Sequence, residues 1–139
     1  MIRRLGKEET HSLLAESRIG RLGCIDAGAP YVVPVSYVFD GDSVYIHSLI
    51  GRKIRAMREN PRICLQVDQV DNDCRWRSAI AFGTYQEVTN EQERNWAARR
   101  LLARFPHLTP VESVPVHDGQ SSVIIFRIRV EEVGGVGEG

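Results

Sequence analysis

The stretch Tyr31-Val32-Val33-Pro34-Val35-Ser36-Tyr37-Val38-Phe39, Asp40-Gly41-Asp42, Ser43-Val44-Tyr45-Ile46-His47-Ser48, then Gly51-Arg52-Lys53-Ile54-Arg55-Ala56-Met57-Arg58 decides the fold. It reads as strand, turn, strand and short basic helix. Alternation puts Tyr31, Val33, Val35, Tyr37 and Phe39 on one face, and the Asp40-Gly41 pair suits a tight hairpin turn. The second strand ends in His47 and Ser48. Gly51 then lets the backbone bend into a helix whose first turn carries Arg52 and Lys53. Free N–H groups at a helix start, a hydroxyl and two cations together favour a bound phosphate.

Outward from this stretch, good helix formers from Lys7 to Ser17, with Leu13 and Leu14 as apolar contacts, predict a short packing or lid helix. Ile19 to Asp26 reads as a strand closed by the turn residues Ala27-Gly28-Ala29-Pro30. The first half is therefore expected to be a three-strand antiparallel meander. Asn60-Pro61 stops the basic helix, because the residue before proline is pushed out of helical geometry. Arg62 to Val70 resumes the sheet with Ile63, Leu65 and Val67 on one face. After the polar turn Asp71-Asn72-Asp73 comes the longest strand, Arg75 to Val88. Its small residues Ala79, Ala81 and Gly83 share a face that would admit another backbone, a helix or a flat ligand. Thr89 or Asn90, the latter with Glu93 three residues on, can cap a helix running to about Arg104, with Ala98, Leu102 and Phe105 as its stripe and Ala97 and Leu101 beside it. Pro106 to Gln120 reads as a loop and Ser122 to Val130 as a strand. Residues 134–139, rich in glycine, are expected to fray as a flexible tail behind a single domain over residues 1–133. Strands without βαβ alternation, with helices between them, make a mainly β fold, an antiparallel barrel with inserted helices.

Composition narrows the function. A chain of 139 residues can bury a core as one domain, and 18 basic against 18 acidic residues give no overall field for nucleic acid or an anionic membrane. Nor does an aromatic platform adjoin the Arg52 to Arg58 helix. Cys24, Cys64 and Cys74 have no C-x-x-C spacing and suit a reducing cytosol. No apolar run approaches the roughly 20 residues of a membrane span, and the charged start excludes a signal peptide. A soluble cytoplasmic protein is the expectation. His11, His107 and His117 form no metal-ligand spacing, so no metal is expected. There is no G-x-S-x-G elbow, Walker loop or dinucleotide fingerprint.

Pro34, Tyr45-Ile46-His47-Ser48, Gly51-Arg52-Lys53, Met57-Arg58-Glu59-Asn60-Pro61 and Trp76-Arg77-Ser78-Ala79-Ile80-Ala81-Phe82-Gly83 stand in a telling order. In that order the chain resembles the pyridoxamine 5′-phosphate oxidase-like flavin-binding split-barrel proteins, nearest their nitroimidazole-resistance branch. The resemblance implies a split β-barrel homodimer with flavin mononucleotide (FMN) held in clefts at the dimer interface; FAD, a deazaflavin and haem are the alternatives. Position by position it implies that Val33, Pro34, Val35 and Ser36 run along the isoalloxazine ring and that His47 and Ser48 sit beside the ribityl phosphate. Arg52 and Lys53 would neutralise that phosphate, and Trp76, Arg77 and Ser78 would border the flavin or the dimer contact. The end of the chain, Glu131-Glu132-Val133-Gly134-Gly135, departs from the arginine- and tryptophan-bearing substrate segment of true pyridoxamine phosphate oxidases. Vitamin B6 oxidation is therefore not expected. The implied activity is flavin-dependent reduction of a small organic acceptor, such as a nitro-aromatic compound, with NAD(P)H. The competing reading is a flavin- or haem-carrying stress or sensor protein without turnover, for which His47 would be the haem contact.

Overall fold

The computed structural model describes residues 1–106 and 123–139, together with the backbone of two short strands between them. In chain order the elements are β1 (Arg3–Arg4), α1 (Lys7–Glu16), β2 (Ile19–Asp26), β3 (Ala29–Ser36), β4 (Val38–Asp40), β5 (Ser43–Leu49) and α2 (Arg52–Glu59). After them come β6 (Arg62–Asn72), β7 (Arg75–Glu87), α3 (Glu91–Arg104), β8 (Val116–His117), β9 (Gln120–Ser121) and β10 (Val123–Glu138). Of the loop expected over Pro106–Gln120, β8 pairs with β9 as a small antiparallel ladder. The remainder, with His107, lies outside the described residues, as does Ser122, the expected first residue of the last strand.

Every ladder of the main sheet is antiparallel, in the order β3-β2-β6-β7-β10-β5-β4, with β1 added beside β10. The two edge strands are consecutive in the chain: β3 ends at Ser36, β4 begins at Val38, and Tyr37 alone joins them. The sheet therefore curls until its edges meet at Tyr37 without a ladder between them, which is a split barrel. This corrects the expected meander, in which Tyr31 to Phe39 was one strand paired with the next. Burial of Tyr37 breaks it: the side chain is fully buried and its hydroxyl donates to the Leu14 carbonyl of α1 at 2.5 Å. That anchor turns the chain from one edge of the sheet to the other. Pro30 and Pro34 remove N–H donors from edge strand β3, which blunts it against pairing with another chain.

The barrel interior follows the alternation. Leu22, Leu65, Val67, Ala79, Ala81, Ile46, Phe126 and Ile128 meet Leu13, Leu14, Ile54 and Met57 of α1 and α2 in one buried cluster. The small face of β7 thus admits helix α1. A second cluster lies where α3 covers β4, β5 and β10, and its buried stripe is Ala97, Leu101 and Phe105, with Ala98 only packed at its margin. The stripe is rotated by one residue from the expected Ala98-Leu102-Phe105 reading, because α3 meets Tyr45 and Ile125 of the sheet through its Ala97 side. Of the two expected caps, Asn90 is the one that closes α3, its Oδ1 accepting from Glu93 N at 2.9 Å.

Residues 134–138, expected to belong to a flexible tail, continue strand β10. Gly134, Gly135 and Gly137 continue β10 opposite Ile80, Ala79 and Arg77 of β7, and Leu5 N donates to Gly135 O at 2.9 Å. Core-forming side chains are not what holds this segment. Backbone ladders hold it, and its glycines make room: a Cβ at Gly135 would lie 2.9 Å from the Ser78 carbonyl and 3.0 Å from Leu5.

Candidate functional site

The end of β5 and the start of α2 adjoin, and Lys53 stands near enough to His47 for its charge to be felt there. Gly51 occupies the N-cap of α2 in extended geometry and supplies no side-chain cap, and the first helical bond runs from Arg55 N to Gly51 O at 3.1 Å. Helix geometry leaves the amides of the first turn without intrahelical acceptors. Their positive end of the helix is open to an anion.

Around this end the charged side chains divide sharply. Lys53 is half-buried and makes no ion pair or hydrogen bond among the described residues; burial holds its ammonium below the ordinary lysine range, with the Cys24 thiol opposing. Arg52 is exposed and engaged: its Nε meets Asp26 Oδ2 at 2.5 Å and its guanidinium stacks 4.4 Å over the Tyr31 ring. Its pKa is raised, first by the hydrogen bond to Asp26 and then by that carboxylate's charge. His47 is half-buried on β5 opposite Ile125, and burial together with the charge of Lys53 lowers its pKa, so its imidazole is neutral near pH 7. Ser48 is buried, its hydroxyl donating to the Leu49 carbonyl at 2.8 Å. A half-buried cation without a counter-ion among the described residues, a helix start without a side-chain cap and a neutral imidazole make a site that gains from an arriving anion.

The other expected residues lie elsewhere. Val35 is buried in the barrel core and Val33 is partly buried against it, whereas Pro34 is exposed and Ser36 half-exposed. Arg52 meets β3 at Tyr31, and Val33 to Ser36 run on from there toward Tyr37. Trp76, Arg77 and Ser78 are remote within one chain. Ser48 stands opposite Ile124 and Arg77 opposite Gly137, thirteen residues apart on β10, about 40 Å of strand. Arg77 there binds Gln69 and Glu9, and Ser78 Oγ accepts from Gln66 Nε2 at 3.0 Å.

Three neighbours of the site were not singled out in the sequence: Cys24, Asp26 and Tyr31. Asp26 and Tyr31 flank the β2–β3 hairpin, whose turn residues Ala27 and Gly28 both take positive φ, 52° and 82°. The Ala27-Gly28 turn was the available signal, since a hairpin this tight brings its flanking side chains together. Cys24 feels Asp26, Arg52 and Lys53 alike; burial, Asp26 and Cys64 outweigh the two cations and raise its thiol above the ordinary range. Beside it opens a groove of about 440 Å³ on the outer face of the sheet, lined among others by Tyr31, Val32, Cys64, Phe82 and Glu131. Val32 and Phe82 are 61% and 46% exposed there, a large apolar face left uncovered by the single chain. Among the described residues no cluster could hold a metal ion, and no helix is long and apolar enough to cross a membrane.

Comparison with known proteins adds three relationships. The chain is 30% identical to an FAD-binding protein of Mesorhizobium loti of known structure, with a TM-score of 0.84 over 100% of this chain and 99% of that one. It is 28% identical to an uncharacterised protein of Rhizobium meliloti (strain 1021), over 96% of this chain and 93% of the relative. It also shares its fold, at 21% identity and a TM-score of 0.79, with a candidate 5-nitroimidazole antibiotic resistance protein of Bacteroides thetaiotaomicron, over 99% of this chain and 87% of the other. The family model described as pyridoxamine 5′-phosphate oxidase matches residues 6–135, nearly the whole barrel. With the split-barrel topology and that match in hand, the chain belongs to the pyridoxamine 5′-phosphate oxidase-like family.

Proposed function

We propose that this protein binds FMN and works as a flavin-dependent oxidoreductase on a small organic acceptor, with NAD(P)H as the source of electrons. The observation that carries the reading is Lys53, half-buried and unpaired among the described residues, beside the uncapped start of α2. These residues fit a phosphomonoester: an anion there would receive the first-turn amides of α2 and the Lys53 ammonium, with neutral His47 available as a hydrogen-bond partner. Bound flavin would supply the hydride chemistry, which explains why no acid–base pair stands out among the described residues. The chain's residues would place the phosphate end, hold the ring against the sheet and exclude water. FAD binding by the Mesorhizobium loti relative supports a flavin as the ligand class. The Bacteroides relative makes a nitro-aromatic compound the first acceptor to try.

The reading includes a homodimer in a reducing cytoplasm. The apolar groove with exposed Val32 and Phe82 has both charge signs at its margin, Arg62 and Glu131 with Glu132, so it can be self-complementary across a two-fold axis. A second copy is also the means by which Trp76, Arg77 and Ser78 would reach a site that their own chain keeps distant. Free Cys24, Cys64 and Cys74 favour the reducing compartment.

The test begins with the purified protein's visible spectrum, followed by heat release of the ligand and its identification by mass. Released FMN supports the reading; a Soret band would replace it with a haem carrier using His47, and a colourless protein that FMN cannot reconstitute would remove it. Anaerobic oxidation of NADPH with a nitroimidazole then separates an enzyme from a flavin carrier without turnover.

A further inference from the structure

We propose that Asp26 sets the affinity and charge selectivity of the anion site at the start of α2 by competing with the bound anion for the Arg52 guanidinium. The inference rests on the reading of that site as a phosphate seat. Arg52 and Lys53 are adjacent, yet only Lys53 stands free among the described residues. Arg52 is docked on the β2–β3 hairpin, between the Asp26 carboxylate at 2.5 Å and the Tyr31 ring at 4.4 Å. The tight Ala27-Gly28 turn fixes carboxylate and ring as a ready-made berth for it.

The berth is built to let go. The Arg52 and Asp26 side chains are 66% and 27% exposed, and an ion pair this wet is weak. Asp26 engages Nε, whereas a phosphate monoester offers the guanidinium several oxygens and a larger charge. Asp26 therefore acts twice with the same sign: it occupies Arg52, and its own negative charge opposes the arriving anion. Binding would exchange one partner of Arg52 for another, while Lys53 and the α2 amides supply the unopposed part of the attraction.

The experiment is an equilibrium titration of the full chain with FMN and with riboflavin, which lacks the phosphate. Parent, Asp26→Asn, Asp26→Glu, Arg52→Ala and the Asp26→Asn/Arg52→Ala double variant are compared. Asp26→Asn is expected to bind FMN roughly fivefold more tightly with riboflavin affinity unchanged, and Asp26→Glu to stay near the parent. In the Arg52→Ala background the gain should shrink to about twofold or less, the residue of screened repulsion. FMN affinity that is unchanged or weakened by Asp26→Asn, in a parent that prefers FMN to riboflavin, overturns the competition and leaves the phosphate seat standing. A full gain retained without Arg52 overturns it as well. A parent that does not prefer FMN to riboflavin removes the phosphate seat and the competition together.

Discussion

Arg18 and Arg104 exchange helix ends. Arg104 Nη2 donates to the Glu16 and Ser17 carbonyls at the end of α1, at 2.9 and 2.8 Å, while Arg18 Nη2 donates to the Arg104 carbonyl at the end of α3, at 2.7 Å. Both guanidinium groups also lie over the Phe105 ring. Each helix thus ends on the other's arginine, where orphan carbonyls and the negative pole of the dipole favour a cation. Arg104→Ala is expected to cost about 1–2 kcal/mol and Arg18→Ala about 1 kcal/mol. A double-mutant cycle by urea unfolding should show the two losses to be less than additive, because either change loosens the contact that both arginines share.

Lys53 carries opposite consequences for stability and for binding. Lys53→Met removes a half-buried, unpaired ammonium, so the ligand-free variant should melt no lower than the parent, and higher if the methionine packs well. The same change deletes a charged donor to the phosphate, worth about 1.5–3 kcal/mol, so FMN should bind about 10- to 100-fold more weakly. Riboflavin affinity, measured by flavin fluorescence quenching, should hardly move.

His47 gives the fold a slope in acid. Its folded pKa is depressed below the ordinary 6.5, first by burial and then by the charge of Lys53. Above that value both folded and unfolded chains carry the neutral ring, and nothing is lost. As the pH drops through 6.5 the unfolded chain takes the proton first, so stability declines until the folded ring is protonated too. His47→Gln should flatten this part of the urea-unfolding profile. If a dianion seats beside the ring, binding should also take up protons, read as a buffer-dependent enthalpy in titration calorimetry.

Tyr37 gives the corresponding slope in base. Burial raises its phenol to about 12 from an ordinary 10.0, the positive charge of Arg104 acting the other way. Between those values the unfolded chain loses the proton while the folded chain keeps it, so stability falls as the pH rises through that window. Tyr37→Phe should make the fall shallower, the buried phenols of Tyr45 and Tyr85, also raised, keeping the remainder. At neutral pH it leaves the Leu14 carbonyl of α1 without its donor, at a cost of about 1–3 kcal/mol.

Gly83 is required by the bulge in β10. There Val130 stands opposite Gly83 and Glu132 opposite Phe82, so Glu131 is the extra residue, its carboxylate accepting from the Thr84 hydroxyl. A Cβ at Gly83 would run into the backbone carbonyl of Arg129, and backbone cannot swing aside. Gly83→Ala should therefore cost about 1–3 kcal/mol, whereas Gly134→Ala, on the exposed part of β10 with nothing near its Cβ position, should cost little. Thermal unfolding of the two variants side by side checks this.

What the sequence made legible was local. Ile63, Leu65 and Val67 alternate, and all are buried as their spacing requires; Asn90 caps α3 because its partner is only three residues away. What escaped it depends on distant partners. Tyr37 has the alternation of a strand interior, and only the position of Leu14, supplied by another element, turns it into a corner. Gly134 to Gly137 look unfit for structure until β7, more than fifty residues earlier in the chain, is placed alongside them. The site divides the same way. His47, Ser48, Arg52 and Lys53 lie within one turn of chain and were readable together. Asp26 and Tyr31 enter only because the β2–β3 hairpin is laid against α2. Trp76 to Ser78 fall beyond what a single chain brings together.

The position of β10 also imposes an order of assembly. It follows all the other strands of the main sheet in chain order, yet it sits inside that sheet, between β7 and β5. Until it leaves the ribosome, the main sheet exists at most as two separate pieces, β3-β2-β6-β7 and the small β4-β5 hairpin. The strand carrying His47 and Ser48 belongs to the small piece, which is too slight to persist alone. On the proposed reading, closure of the barrel and completion of the anion site would be one late event, and a chain stalled before β10 emerges would have no site to fill.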